Sequence, residues 1–267
     1  MFREVYRFTK ETFLKLPIIF RLSLEDFRKR FIGSSFGLLW PFVQPLITTL
    51  VLWMVFSVGF RSTNVKDVPF ICWMLSGLVP WYYFSEALAS SSNSLIEYRF
   101  ILKQMSFTPS IIPFVKIISC IFTHAIFALL MIIVMFVNGM TPNWYWLQTI
   151  YYFICMIVFL LGLSWLTSSI KLFFADIEEM INVFLQIGMW FTPILWDIGI
   201  APTNMLWIFK INPLFYIIQG YRDSLIYKVS IIQRLPDTLY FWGVCLVVVL
   251  LGISIFSKLK PYFNDVI

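Results

Sequence analysis

The sequence predicts an all-α integral membrane protein with six transmembrane helices, an amphipathic interface helix before the first, and a re-entrant external helical hairpin between the fifth and sixth. Three observations lead there. Of 267 residues, 60% are apolar and only 13% charged, far from the balance of a soluble domain. A water-soluble core of this length cannot hide so much apolar surface. The charges also cluster, leaving long intervals without Lys, Arg, Asp or Glu.

The interface helix comes first, at 10–35. Phe13, Leu16, Phe20, Leu24, Phe27 and Phe31 recur at helical spacing, with Arg21, Glu25 and Arg28 on another face. Pro17 suits a first helical turn. Eight of the 20 Lys and Arg lie in the first 30 residues, so this segment either meets anionic headgroups or is a solvated tail. Charges recurring through Arg30 predict no cleavable signal peptide.

Span one is expected at 38–60, within a stretch free of charge from Phe31 onward. Span two, 68–92, contains Glu86, an acidic residue inside an apolar run. Its carboxylate either faces a cavity or lies nearer the headgroups. The uncharged interval 117–170 is too long for one crossing. The turn residues Asn138-Gly139-Met140-Thr141-Pro142-Asn143 divide it into spans three (112–137) and four (146–172). Span five is expected at 179–197 and span six at 238–257. Each approaches the ~30 Å of a hydrocarbon layer at about 1.5 Å per residue. Between them, 198–227 is apolar but broken by Pro202, Lys210, Pro213, Arg222 and Asp223. It reads as two half-helices dipping into the membrane, or as an external amphipathic loop.

Basic residues in the connections set the orientation. The side holding the N-terminal cluster, Arg99, Lys103, Lys171, Lys258 and Lys260 outweighs the side holding Arg61, Lys66, Lys210, Arg222, Lys228 and Arg234. Both termini are therefore expected in the cytoplasm.

Catalytic chemistry is sparse. None of the 11 glycines precedes a lysine, so no phosphate-cradling G-x-x-x-x-G-K-[ST] loop exists in these residues. Cys72, Cys120, Cys155 and Cys245 are isolated in apolar surroundings, with no metal-ligand spacing. His124 stands alone and suits packing or hydrogen bonding. No metal site, cofactor or nucleic-acid partner is expected. Aromatic residues make up 19% of the chain. Trp81, Tyr82, Tyr83, Trp190 and Trp196 belong either to the interfacial belt or to a conduit wall on which sugar rings could slide.

Five motifs in order resemble one known family. Arg28-Lys29-Arg30-Phe31, with Ser34-Ser35-Phe36-Gly37-Leu38-Leu39-Trp40-Pro41 and Pro45-Leu46, is similar to the approach to span one in membrane subunits of ABC type 2 polysaccharide exporters. Gly77-Leu78-Val79-Pro80-Trp81, Phe174-Ala175-Asp176-Ile177, Phe191-Thr192-Pro193-Ile194, and Asn212-Pro213-Leu214 with Tyr221-Arg222 resemble its later motifs. Ala175 replaces the usual arginine and Lys29 intrudes in the basic run. The resemblance implies a non-enzymatic permease in a bacterial inner membrane, forming a homodimer with a conduit between the copies. It implies two copies of a separate ATPase holding ATP and Mg. The cargo would be an O-antigen-like polysaccharide on undecaprenyl diphosphate, with teichoic acid, capsule, a drug or a small lipid as alternatives. On this reading Arg21, Arg28, Lys29 and Arg30 meet the lipid diphosphate. Glu97, Arg99 and Lys103, within 97–109, couple to the ATPase, and the five aromatics guide the glycan.

Overall fold

A computed structural model describes residues 8–12, 14–30, 40–61, 64–65, 67–103 and 108–266. The chain is mostly helical. Eight helices carry the architecture: α1 (Leu16–Lys29), α2 (Trp40–Met54), α3 (Phe70–Ser92), α4 (Ile111–Val137), α5 (Gln148–Lys171), α6 (Ile177–Phe191), α7 (Pro213–Arg222) and α8 (Leu235–Leu259). A two-stranded antiparallel hairpin, β1 (Asn64–Val65) and β2 (Val68–Pro69), links α2 to α3. It takes the first two residues of the interval read as span two.

Among the described residues, three helical stretches are long and apolar enough to cross a membrane: Ile111–Val137, Trp144–Lys171 and Ile231–Tyr262. The 23-residue α3 is long enough too, but it carries Glu86 and a run of serines and is largely buried. Pro80 inside it and Pro45 inside α2 each remove a backbone donor, which apolar helices tolerate when neighbours surround the break. α2 passes into a π turn at Val55–Gly59.

Two sequence expectations are corrected. The interface helix does not run unbroken over 10–35: a turn at 14–15 precedes α1, which starts with Pro17 in its first turn, and 31–35 lie outside the described residues. Span five, expected at 179–197, ends as a helix at Phe191. There Thr192 swings to an extended ψ of 128° and Pro193 follows. The 15-residue α6 is thus about 22 Å long.

After α6 come two 3-10 turns, the short helix Leu206–Lys210, and α7. The Asn212 side chain accepts from the Leu214 amide at 3.0 Å and Pro213 takes the first helical position, which together start α7. Pro213 and Leu214 sit beside Phe159 and Leu163, midway along α5. The far end of α7 returns to the start of α5, where Gln148 bridges Val229 O (3.1 Å) and Ile231 N (2.8 Å).

The core is built by close helix crossings. α5 and α8 meet at Gly162 and Gly252: a Cβ on Gly252 would overlap the Gly162 carbonyl, and one on Gly162 would lie 2.9 Å from the Val249 backbone. Small residues let apolar helices approach this way without a hydrophobic drive. Ser91 and Ser164 share a hydrogen bond of 2.6 Å that ties α3 to α5. The 8–12 turn docks at the same end, with Phe8 edge-on to Trp165 and Phe256. Outward, large apolar side chains stay exposed along α2, α4, α6 and α8. In lipid or against another apolar surface that face is stable; in water it would aggregate.

Gly252→Ala is expected to lower stability by about 1–3 kcal/mol through overpacking. Gly243→Ala, with open space around its Cβ, should be neutral or slightly stabilising. Thermal unfolding of both variants in detergent, followed by intrinsic fluorescence, measures the contrast.

Candidate functional site

At the end of the molecule that carries α1, charges are gathered into one buried network. α1 delivers Asp26 and Arg30 from successive turns of a single face. Arg30 donates to Glu86 Oε1 (2.8 Å), Ser90 Oγ (3.0 Å) and Asp26 Oδ2 (3.3 Å). Lys116, from the first turns of α4, donates to Asp26 Oδ1 (2.7 Å) and Glu97 Oε2 (2.5 Å). The Tyr98 hydroxyl adds a third donor to Asp26 at 2.8 Å. Burial alone would raise the Asp26 pKa, but the Lys116 ammonium and the Arg30 guanidinium outweigh it and hold the carboxyl below its usual value. Lone charges at this depth are costly; paired and hydrogen-bonded ones are tolerated.

This geometry divides the expected entrance group. Arg30 faces inward and is fully engaged. Arg21 is exposed and only loosely paired with Glu25, at 4.0 Å. Arg28 and Lys29 are exposed, with no ion-pair partner among the described residues. Lys29 does line a cavity of about 400 Å³ with Asp26, Arg30, Glu97, Phe100 and Lys116. The expected coupling residues separate too. Glu97 belongs to the network, whereas Arg99 sits over the Phe100 ring at 5.1 Å and Lys103 is exposed. Residues 104–107 of that segment lie outside the described residues. Nearby, Lys171 donates to Glu178 (2.6 Å) and Asn93 (2.9 Å), which fastens the turn carrying Phe174-Ala175-Asp176-Ile177 to the end of α3.

The five aromatics do not form one wall. Trp81 and Tyr83 are corrected: at 3% and 1% exposure they are core side chains of the protomer. The ring edge of Trp81 fills the space left by Gly188, where a Cβ would approach it to 2.9 Å. Tyr83 packs against both His124 and Phe153, its hydroxyl donating to Ile117 O at 3.3 Å. Tyr82 is half-buried in a cleft between α2, α3 and α4 that also takes Glu86. Trp190 is exposed, and Trp196 donates to its carbonyl at 3.1 Å. His124 stacks on Phe153 with centroids 4.7 Å apart.

A second polar cluster joins motifs distant in sequence. Asn212 Nδ2 donates to Thr192 Oγ1 at 2.8 Å. Arg222, 2% exposed, donates to the carbonyls of Pro193 (2.6 Å) and Ile194 (2.7 Å), and its guanidinium covers the Trp73 ring at 3.6 Å. Arg222 thereby satisfies two backbone carbonyls of the turn that follows α6. The adjacent Asp223 accepts from Arg234 at 2.8 and 3.3 Å. Sequence reasoning missed Asp26, Lys116, Lys171, Thr192 and Arg222 as structural centres. The available signal was a single charge in an apolar run, which marks Lys116 and the Arg222-Asp223 pair.

Comparison with known proteins places these features. The model of the ABC-2 type transporter family matches residues 19–226. Over 247 residues the chain is 30% identical to the O-antigen export system permease protein RfbA of Klebsiella pneumoniae, covering 92% of this chain and 93% of that protein. It is 24% identical over 267 residues to an RfbA of Myxococcus xanthus, covering 97% and 98%. The polysialic acid transport protein KpsM of Escherichia coli is 23% identical over 210 residues, covering 76% and 79%.

Removing one partner of the buried network should be severe. Lys116→Met leaves Asp26 with only Arg30 and the Tyr98 hydroxyl and is expected to cost about 3 kcal/mol, with much of the loss recovered in the Lys116→Met/Asp26→Asn double variant. Because the Asp26 pKa is depressed on folding, its contribution is present above the ordinary carboxylate range and is lost as pH falls through the folded value. Unfolding of the three proteins in detergent as a function of pH tests both statements.

Proposed function

We propose a function from one premise: the chain belongs to the ABC-2 type transporter family. It is a transport permease and not an enzyme. Its role is to carry a polysaccharide of the O-antigen kind out of the cytoplasm. The observation that carries this reading is similarity running nearly the whole length of relatives named for O-antigen export, with a polysialic acid transporter further off.

The finer steps are ours. Two copies enclose the route, supported by the apolar side chains of α6 (Met180, Val183, Phe184, Ile187, Trp190) that stay exposed in one protomer. Two copies of a separate ATPase supply the energy from Mg-bound ATP, since no nucleotide loop occurs in these residues. The cargo travels on undecaprenyl diphosphate. Six crossings with both ends in the cytoplasm put α1 at the inner leaflet, where exposed Arg28 and Lys29 attract the diphosphate through charge-assisted contacts. Arg30 takes no part in that, being committed to Glu86 and Asp26. Arg99 and Lys103 meet the ATPase, and Glu97 transmits its motion to α1 and α4 through Lys116. The short α6 and the deep start of α7 support a hairpin that re-enters the membrane.

Replacing the nucleotide-loop lysine of the partner ATPase should abolish surface polysaccharide while permease levels stay normal. An Arg28→Gln/Lys29→Gln variant should insert normally and export about tenfold more slowly, the weight of one charge-assisted contact. Surface glycan immunoblots against membrane-fraction permease levels read both outcomes; normal export in either case overturns the corresponding step.

A further inference from the structure

The cleft between α2, α3 and α4 has features that neither the ionic network nor the aromatic core requires. It encloses about 420 Å³, within the range of small-molecule sites. Part of its lining is aromatic, with Tyr83 and with Tyr82 and Phe127, whose rings stand at 56° with centroids 6.2 Å apart. Part is polar, with Ser85, Glu86, Thr123 and His124 on the same two helices. Thr123 is 4% exposed and His124 8%; Thr123 stands near Glu86 and His124 near the Val79 backbone, yet neither Thr123 Oγ1 nor His124 Nδ1 makes a hydrogen bond of ordinary geometry within the protein. Buried polar atoms left unpaired cost free energy, and each such case asks for a partner.

We infer that this cleft binds a neutral, hydroxyl-rich group, a sugar ring or polyol headgroup, through Thr123, His124 and Glu86 with Tyr82 and Phe127 against its C–H face. Charge selects the class. Arg30 lies behind Glu86, paired with it and with Asp26, and no Lys or Arg is among the described residues lining the cleft, so a phosphate finds no positive charge there. An acyl chain would leave both orphaned atoms unpaired. A hydroxyl donates and accepts, and so satisfies a carboxylate, a threonine hydroxyl and an imidazole nitrogen alike. Flat rings in the same lining suit the apolar face of a pyranose.

The test uses the full chain with its ATPase partner in lipid nanodiscs and no nucleotide, so its failure leaves the exporter reading intact, and failure of export leaves this site intact. An alkyl glucoside with a diazirine on the sugar serves as probe, and labelled peptides are mapped by mass spectrometry. Labelling is expected within α3 and α4 around Tyr82 and Thr123, displaced by alkyl maltoside and not by an alkyl phosphocholine of equal chain length. Thr123→Val, close in shape to the native residue, should weaken labelling by roughly two- to tenfold, the weight of one hydrogen bond. His124→Phe, which keeps the stack on Phe153, should act similarly. Displacement by a tail-free oligosaccharide assigns the site to a passing glycan; displacement by tailed glycosides alone assigns it to a glycolipid headgroup. Either supports the inference. Labelling unchanged in Thr123→Val, or displaced equally by phosphocholine, overturns it.

Discussion

The constraint on which the rest of the structure depends is that no charge inside this molecule can stand alone. Lys116 lies in a helix whose neighbours are isoleucine, valine and phenylalanine, and it is tolerable only because Asp26 and Glu97 meet it. Asp26 in turn needs Arg30, and Arg30 needs Glu86. Each pairing draws another element inward, so that α1, α3, α4 and the turn after α3 are held by one chain of partners. α1 is therefore anchored by ion pairs at one edge, while apolar residues such as Phe20 remain exposed.

Much of the helical framework was legible because hydropathy in an apolar chain is dominated by where charge is absent. The helix Ile111–Val137 takes up the first part of the charge-free interval that begins after Lys116, and Asn138 and Gly139 stop it as turn chemistry requires. The limit of α6 was not legible. Thr192, Pro193, Ile194, Leu195 and Trp196 continue the apolar run, and the feature that stabilises the stop, Arg222, lies about thirty residues on. Hydropathy measures what a segment is made of, not which of its carbonyls have partners.

The site was legible only in part, for a related reason. Arg28, Lys29 and Arg30 look alike in sequence, but successive helical residues point about 100° apart, and only one of the three turns toward Glu86. Likewise Trp81, Tyr82 and Tyr83 adjoin each other in a span whose few polar residues, Glu86 and the serines, do not gather on one face. Such a span has no distinct polar face to tell inside from outside. Gly188, which makes room for Trp81, is the residue that resolves the question, and it lies on another helix.

The two carbonyls held by Arg222 set how the outer half of the molecule can deform. Sliding α6 along α3 would force Arg222 to give up either the two carbonyl oxygens that follow α6 or the Trp73 ring on α3. Either loss leaves buried polar groups without partners, so a small displacement already forfeits a whole contact. The joint between α6 and α7 therefore behaves as a latch with a threshold rather than as a spring.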